Sequence, residues 1–302
     1  MAWLAALAVA NLVLLLLVVK YSIGTIRGQM LDTVALAGNS LGRVRFGGTL
    51  NTALDAISVA SLVLVLLVVG LIALLRRRFA LAVMAVILVA GSVATTYVLK
   101  YYVITRTDLG VDPERAAAGN SLPSGHATAA AAFAVGLVLV LPKGARGIAS
   151  LLGATYAAIV GVATLSAGWH RPSDVLASYL IVGGWAAAAG LLLVALQRPG
   201  AVVSERDRAG LSLAGTLVGG VTLLGAGVVA LALTFNRMSV PVDEMSSRLL
   251  TLGYMGSVAT ITGAAYLMMA VVLVTVHRVV PQIPASTSGD QAPLVTASAG
   301  AG

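Results

Sequence analysis

The sequence predicts an all-α fold, a polytopic membrane helical bundle of about eight transmembrane helices. Three observations predict it. Hydrophobic residues make up 59% of the 302 residues and charged residues only 10%. With a mean hydropathy of +0.99, the chain carries more apolar surface than one water-soluble core can hide. The apolar runs are about 20 residues long, enough to cross ~30 Å of hydrocarbon as helices, and lack the strict alternation of an outer-membrane barrel. The basic residues crowd into short turns between runs, as in Arg76-Arg77-Arg78 and Lys143-Gly144-Ala145-Arg146, which is how membrane chains set their orientation.

Each element follows from that pattern. Ala2 to Val19 is an uncleaved first span, because no basic residue precedes it and no small-residue cleavage site follows Lys20. Residues 21–51 mix Leu, Val and Met with Arg27, Asp32, Arg43 and Arg45. They are too polar to span and read as one or two interfacial amphipathic helices. A second span covers about residues 53–75 and a third about 80–102, joined by the triple arginine. A polar loop over 103–122 precedes the fourth span, which opens at Ser124 and ends before Pro142. The fifth and sixth spans cover about 147–168 and 175–196, and the turn between them is Trp169-His170-Arg171-Pro172-Ser173-Asp174. A seventh span over about 211–235 carries Gly215 and Gly219, a pattern that favours close helix packing. The eighth covers about 254–276. The first six spans, with the motifs, thus fall within residues 1–197, two further transmembrane helices fall within 198–280, and the Ala-, Ser-, Gly- and Thr-rich tail 281–302 is expected to be disordered.

The composition excludes several function classes. No cysteine is present, so disulfides, thiolate metal sites and cysteine nucleophiles are ruled out. The net charge of +8 reads as membrane topology and not as a nucleic-acid footprint. Partners are therefore membrane lipids, with no nucleic acid, and oligomeric state leaves no mark on the sequence.

Two of the three histidines stand at span boundaries. Pro123-Ser124-Gly125-His126 opens the fourth span. Its first backbone N–H groups lack intrahelical partners and can face an anion, and Gly125 allows a ligand close to the backbone. An ordinary capped helix with an interfacial histidine would look the same. In His170-x-x-x-Asp174, one helical turn separates the pair, so Asp174 can accept from one ring nitrogen and leave the other free as nucleophile or base. A purely structural His–Asp pair is the competing account. Lys100 and Arg106 lie on the same side and add a cationic cradle suited to phosphate. The third histidine, His277, falls on the opposite face and reads as interfacial. Asp32 and Asp55 are isolated acids near an interface, read as solvated, paired with a nearby arginine, or bounding a lipid access region.

Taken in order, Lys100 and Arg106, Pro123-Ser124-Gly125-His126 and His170-x-x-x-Asp174 resemble the type 2 phosphatidic acid phosphatase superfamily over roughly residues 1–197. The resemblance implies a metal-independent phosphohydrolase with no cofactor. In it His170 attacks phosphorus to give a phosphohistidine, Asp174 orients it, and His126 protonates the leaving oxygen. Lys100, Arg106, Ser124 and the Gly125 amide would hold the phosphoryl oxygens. Two departures stand out. Five residues, not six, separate Lys100 from Arg106, and Thr107 stands where the family has proline. Ala163 and Thr164 occupy the positions of a serine and a phosphate-binding arginine. Arg171, beside His170, is the expected substitute, since a guanidinium can bind phosphate bidentately from another direction.

The density of arginines in short turns puts both termini in the cytoplasm and both histidine motifs outside, at the plasma membrane. The implied substrate is a lipid-linked phosphate or diphosphate: first a polyprenyl diphosphate, second phosphatidic acid or phosphatidylglycerol phosphate. A lipid phosphotransferase, and a non-enzymatic anionic-lipid binding or transport protein, remain the alternatives.

Overall fold

A computed structural model describes residues 1–39, 67–72, 74–112, 119–196 and 210–280. Most of the second predicted span, Asp55, Arg43, Arg45 and the tail from Pro281 lie outside these residues. Every long element among them is a helix: α1 (Ala2–Gly24), α2 (Ile26–Ala37), α3 (Phe79–Val98), α4 (Gly125–Val140), α5 (Lys143–Ser166), α6 (Pro172–Leu196), α7 (Gly210–Arg237) and α8 (Ser247–Val279). Six of the elements are long and apolar enough to cross a membrane. The fold is thus a polytopic helical bundle. α4 is shorter, at 16 residues, which corresponds to about 24 Å of rise. Residues 67–72 and 74–75 of the second predicted span are helical.

The element boundaries have local causes. Thr25 ends α1 in extended backbone and caps α2, its hydroxyl accepting from Gly28 N at 3.0 Å. Ser124 caps α4 in the same way, and Pro142 closes it off and starts α5. α3 runs on into a π-helical turn, Leu99–Val103, a local widening often found at functional sites. α5 ends in a two-bond cap in which Gly168 N donates to Leu165 O and Trp169 N to Thr164 O. That cap needs a left-handed residue after the helix, and Gly168 supplies it with φ +77°.

α4 sits at the centre. Its face of Ala127, Ala130, Ala131, Ala132 and Ala134 is almost fully buried, and such small side chains let α3, α5 and α6 approach closely. The eighth span is part of this core and not an appendage. Ile261, Met269 and Leu273 of α8 are wholly buried in the same apolar cluster as Leu88, Val135 and Leu165. Polar bonds fasten α8 to α5: Ser150 Oγ donates to Met269 O at 3.1 Å, and Thr155–Tyr266 and Ser166–Tyr254 hydroxyl pairs lie at 2.9 and 2.7 Å. α7 packs on α8 through Gly220, Gly227 and Gly263, where an added Cβ would collide with the neighbouring helix. Gly215 faces open space, so the close approach comes one face round from the Gly215/Gly219 pattern. Outward-facing Leu12 and Leu16 of α1 and Val218 and Val221 of α7 stay exposed, as lipid-facing side chains should.

The two ends of the bundle differ. At one, the Arg76 guanidinium donates to Val140 O, Arg146 Nε donates to Leu141 O at 3.1 Å, and Arg278 lies over the Trp3 ring. At the other end, α2, the 104–112 loop, the start of α4 and the turn 167–171 meet. Both histidine motifs belong to this second end.

Candidate active site

His170 lies in the turn before α6, because Pro172 is the first helical residue. The expectation of a His–Asp pair within one helical turn is therefore corrected in detail. The contact forms across a helix start: His170 Nδ1 and Asp174 Oδ2 are 3.1 Å apart. The same oxygen accepts from Arg171 N at 2.9 Å, so a side chain in the first turn of α6 folds back to hold the residues preceding it. Thr164 completes the turn, its carbonyl accepting from both Trp169 N and His170 N. Asp174 is fully buried and His170 is 7% exposed. A carboxylate so placed fixes the imidazole tautomer with hydrogen on Nδ1 and leaves Nε2 with its lone pair.

The start of α4 is clasped to the start of α6. Ser124 N donates to Asp174 O at 3.0 Å, and Ser178 Oγ donates to Ser124 O at 2.8 Å. Ser124 itself is fully buried, with its hydroxyl accepting from Ala127 N at 3.3 Å, so its side chain serves as the helix cap. Gly125 is exposed, and no atom lies within 4 Å of where a Cβ would be. A ligand can therefore reach the first amides of α4. His126 follows, its ring 5.4 Å from that of Trp169, which brings the second histidine alongside the residue preceding His170.

Three cations face this centre. Lys100 lies in the π-helical turn, within electrostatic reach of Asp174, with its ammonium 5.7 Å from the Tyr101 ring centroid. Asn120 steadies its backbone, donating to Lys100 O at 3.2 Å. Arg106 is buried and pairs with Asp32 of α2 at 3.6 Å. Burial, then the neighbouring Arg171, holds its pKa below the ordinary guanidinium value. Arg171 is 4% exposed, pairing with Asp112 at 3.5 Å and donating to Ser121 Oγ at 3.3 Å. The Nε groups of both arginines are buried with no hydrogen-bond acceptor. Buried N–H groups without an acceptor on two neighbouring guanidiniums have the chemistry to bind an anion.

All eight sequence-derived candidates thus gather at one end of the bundle. Three of the groups that hold them left no motif in the sequence: Asp112, Ser121 and Asn120. Asp112 and Ser121 carried no pattern beyond a polar loop. Asp32 carried a weak signal, a lone acid in a segment too polar to span, and its partner arginine lies 74 residues away. Thr164, where the family has an arginine, has its side chain fully buried and its hydroxyl bonded to Gly161 O at 2.8 Å. Among the described residues no group of three His, Asp or Glu side chains is placed to hold a metal ion. Residues 81–199 match the family described as the PAP2 superfamily. No curated protein and no solved structure matches the chain.

Proposed function

With residues 81–199 belonging to the PAP2 superfamily, we propose that this membrane protein is a phosphatase that hydrolyses a lipid-linked phosphate or diphosphate through a phosphohistidine. The observation that carries the reading is the buried His170–Asp174 pair beside the open face of Gly125 and two guanidiniums with unsatisfied Nε–H groups.

The phosphoryl oxygens are held by Lys100, Arg106, Arg171 and the Gly125 amide. His170 Nε2 attacks phosphorus in line, a P–N bond forms, and the bond from phosphorus to the lipid oxygen breaks. His126 gives its proton to that departing oxygen. The imidazole now bears positive charge, which the buried Asp174 carboxylate balances. A water that loses its proton to His126 then attacks the phosphohistidine, releasing phosphate and restoring both histidines. Fixed donors around the phosphoryl group stabilise the charge developing on its oxygens.

A long apolar tail is supported by a cavity of about 460 Å³ along α1, α6 and α8, lined by Leu14, Val18, Leu180 and Leu193 among others. Its α6 wall extends from Leu176, two residues past Asp174, to Leu193, a rise of about 26 Å. A polyprenyl diphosphate is the first-choice substrate, with phosphatidic acid or phosphatidylglycerol phosphate second. The arginine-rich turns at the opposite end favour an extracytoplasmic site in the plasma membrane.

The test is phosphate release from a panel of these lipids by the purified protein in EDTA, beside His170→Ala. Expected are turnover in chelator, inhibition by vanadate and none in the variant. An active His170→Ala protein refutes the nucleophile, and activity lost in EDTA and restored by a divalent ion refutes a metal-independent route.

A further inference from the structure

α2 lies outside residues 81–199, yet it meets the site at three points through buried polar side chains. Gln29 Nε2 donates to Thr107 O at 2.8 Å, fixing the residue next to Arg106, and also to Ile23 O at the end of α1. One turn on, Asp32 pairs with Arg106 at 3.6 Å and accepts from Ser173 twice, from the amide at 3.3 Å and from the hydroxyl. Just past the helix, Asn39 Nδ2 donates to Leu165 O at 3.1 Å and to Ser166 O, at the end of α5 that leads into the His170 turn. An interfacial amphipathic helix keeps its polar face in water. Here the polar face is turned inward.

We infer that Asp32 is a positioning residue: it holds the Arg106 guanidinium and the start of α6 in register, and thereby sets where the phosphoryl group is bound. The inference rests on the phosphatase reading above. Its geometry is that of a bracket. One carboxylate uses one oxygen on a backbone amide of the α6 start and the other on the adjacent hydroxyl and the guanidinium. Arg106 stands in a loop one residue short of the spacing the family uses. A loop arginine needs an external partner to present its N–H groups in a fixed direction, and α2 supplies it. Asp32 is buried and touches no part of the open Gly125 face, so it acts through Arg106 and not on substrate.

The test is a double-mutant cycle in the full chain, purified in detergent, with Asp32→Asn, Arg106→Gln and the double variant. Both kcat/KM on a lipid phosphate and Ki for vanadate are read. Asp32→Asn is expected to lower kcat/KM by about 10- to 100-fold, the size of loss that a displaced binding group causes, and to raise the vanadate Ki by a similar factor. In the Arg106→Gln background the same substitution should cost less than about 3-fold, since residues acting as a unit are not additive. Loss of folded fraction alone would lower the apparent rate and leave Ki unchanged. Asp32→Asn leaves a buried arginine without its counter-charge, so it is the variant most exposed to misfolding. The double variant removes both charges, and its comparison with Arg106→Gln alone still decides. Additive losses, or an unchanged Ki, overturn the assignment while leaving the phosphatase reading standing. A folded wild-type protein that releases no phosphate overturns both.

Discussion

Asp174→Asn removes one charge from the centre of the site and little else. The carboxylate is fully buried and accepts from His170 Nδ1 at 3.1 Å and from Arg171 N at 2.9 Å, both through Oδ2. Asparagine keeps one acceptor oxygen, so the turn can retain its backbone bond. On the proposed mechanism, what disappears is the attraction between the carboxylate and the imidazolium formed when His170 attacks phosphorus. At the observed separation and an effective dielectric of about 20, that attraction is about 5 kcal/mol. Each ~1.4 kcal/mol is tenfold in rate, so turnover should fall by between three and four decades if most of the attraction is felt in the transition state. The assay is phosphate release at saturating lipid phosphate, with acid-stable and acid-labile phosphoprotein separated after rapid quenching. The variant should accumulate little of the acid-labile, histidine-linked form. A fully folded Asp174→Asn protein within tenfold of wild type would refute the reasoning, because the buried carboxylate would then have no role in the charged intermediate.

Arg171→Ala should lower turnover by about 10²–10³, the usual cost of removing one preorganised donor from a developing oxyanion, and Arg171→Lys should recover little, since an ammonium lacks the planar fork. Retention of most turnover at saturating substrate would show that Arg171 serves only its bonds to Asp112 and Ser121. Orientation is read by single cysteines in this cysteine-free chain. Asp108 and Gly144, both exposed, should label from outside and only after permeabilisation, respectively, and the reverse pattern would move the substrate to the inner leaflet. The Asp32 carboxyl is pushed up from 3.8 to about 6, first by burial and next by Asp174, against Ser173, Arg106 and Arg171. Because the folded state keeps a proton that the unfolded chain releases, this group's contribution to stability falls as pH rises from about 4 to about 6, by at most about 3 kcal/mol. Asp32→Asn should flatten that part of the Tm–pH curve, and an unaltered slope would contradict the assignment.

Much was determined by local sequence. Helix class, membrane residence and most span positions follow from the length and spacing of apolar runs, because a backbone in hydrocarbon must satisfy its own hydrogen bonds and helices do so within one segment. The α4 start was legible from Ser124 and the short reach of a cap, and the His170–Asp174 meeting from a separation of four residues. The boundaries of α5 and α6 shifted because Pro142 and Pro172 begin helices that hydropathy alone starts later. What a motif spacing could not tell was how the cations are held. Asp32 and Arg106, Asp112 and Arg171, and Gln29 and Thr107 are pairs distant along the chain, brought together only by the way α2 and the 104–112 loop close over the bundle end. The same holds for α8, whose apolar run reads like any lipid-facing span but whose Ile261, Met269 and Leu273 are core. Hydropathy records that a residue avoids water. Lipid and protein interior satisfy that avoidance equally well, so only the packed tertiary structure decides which of the two surrounds it.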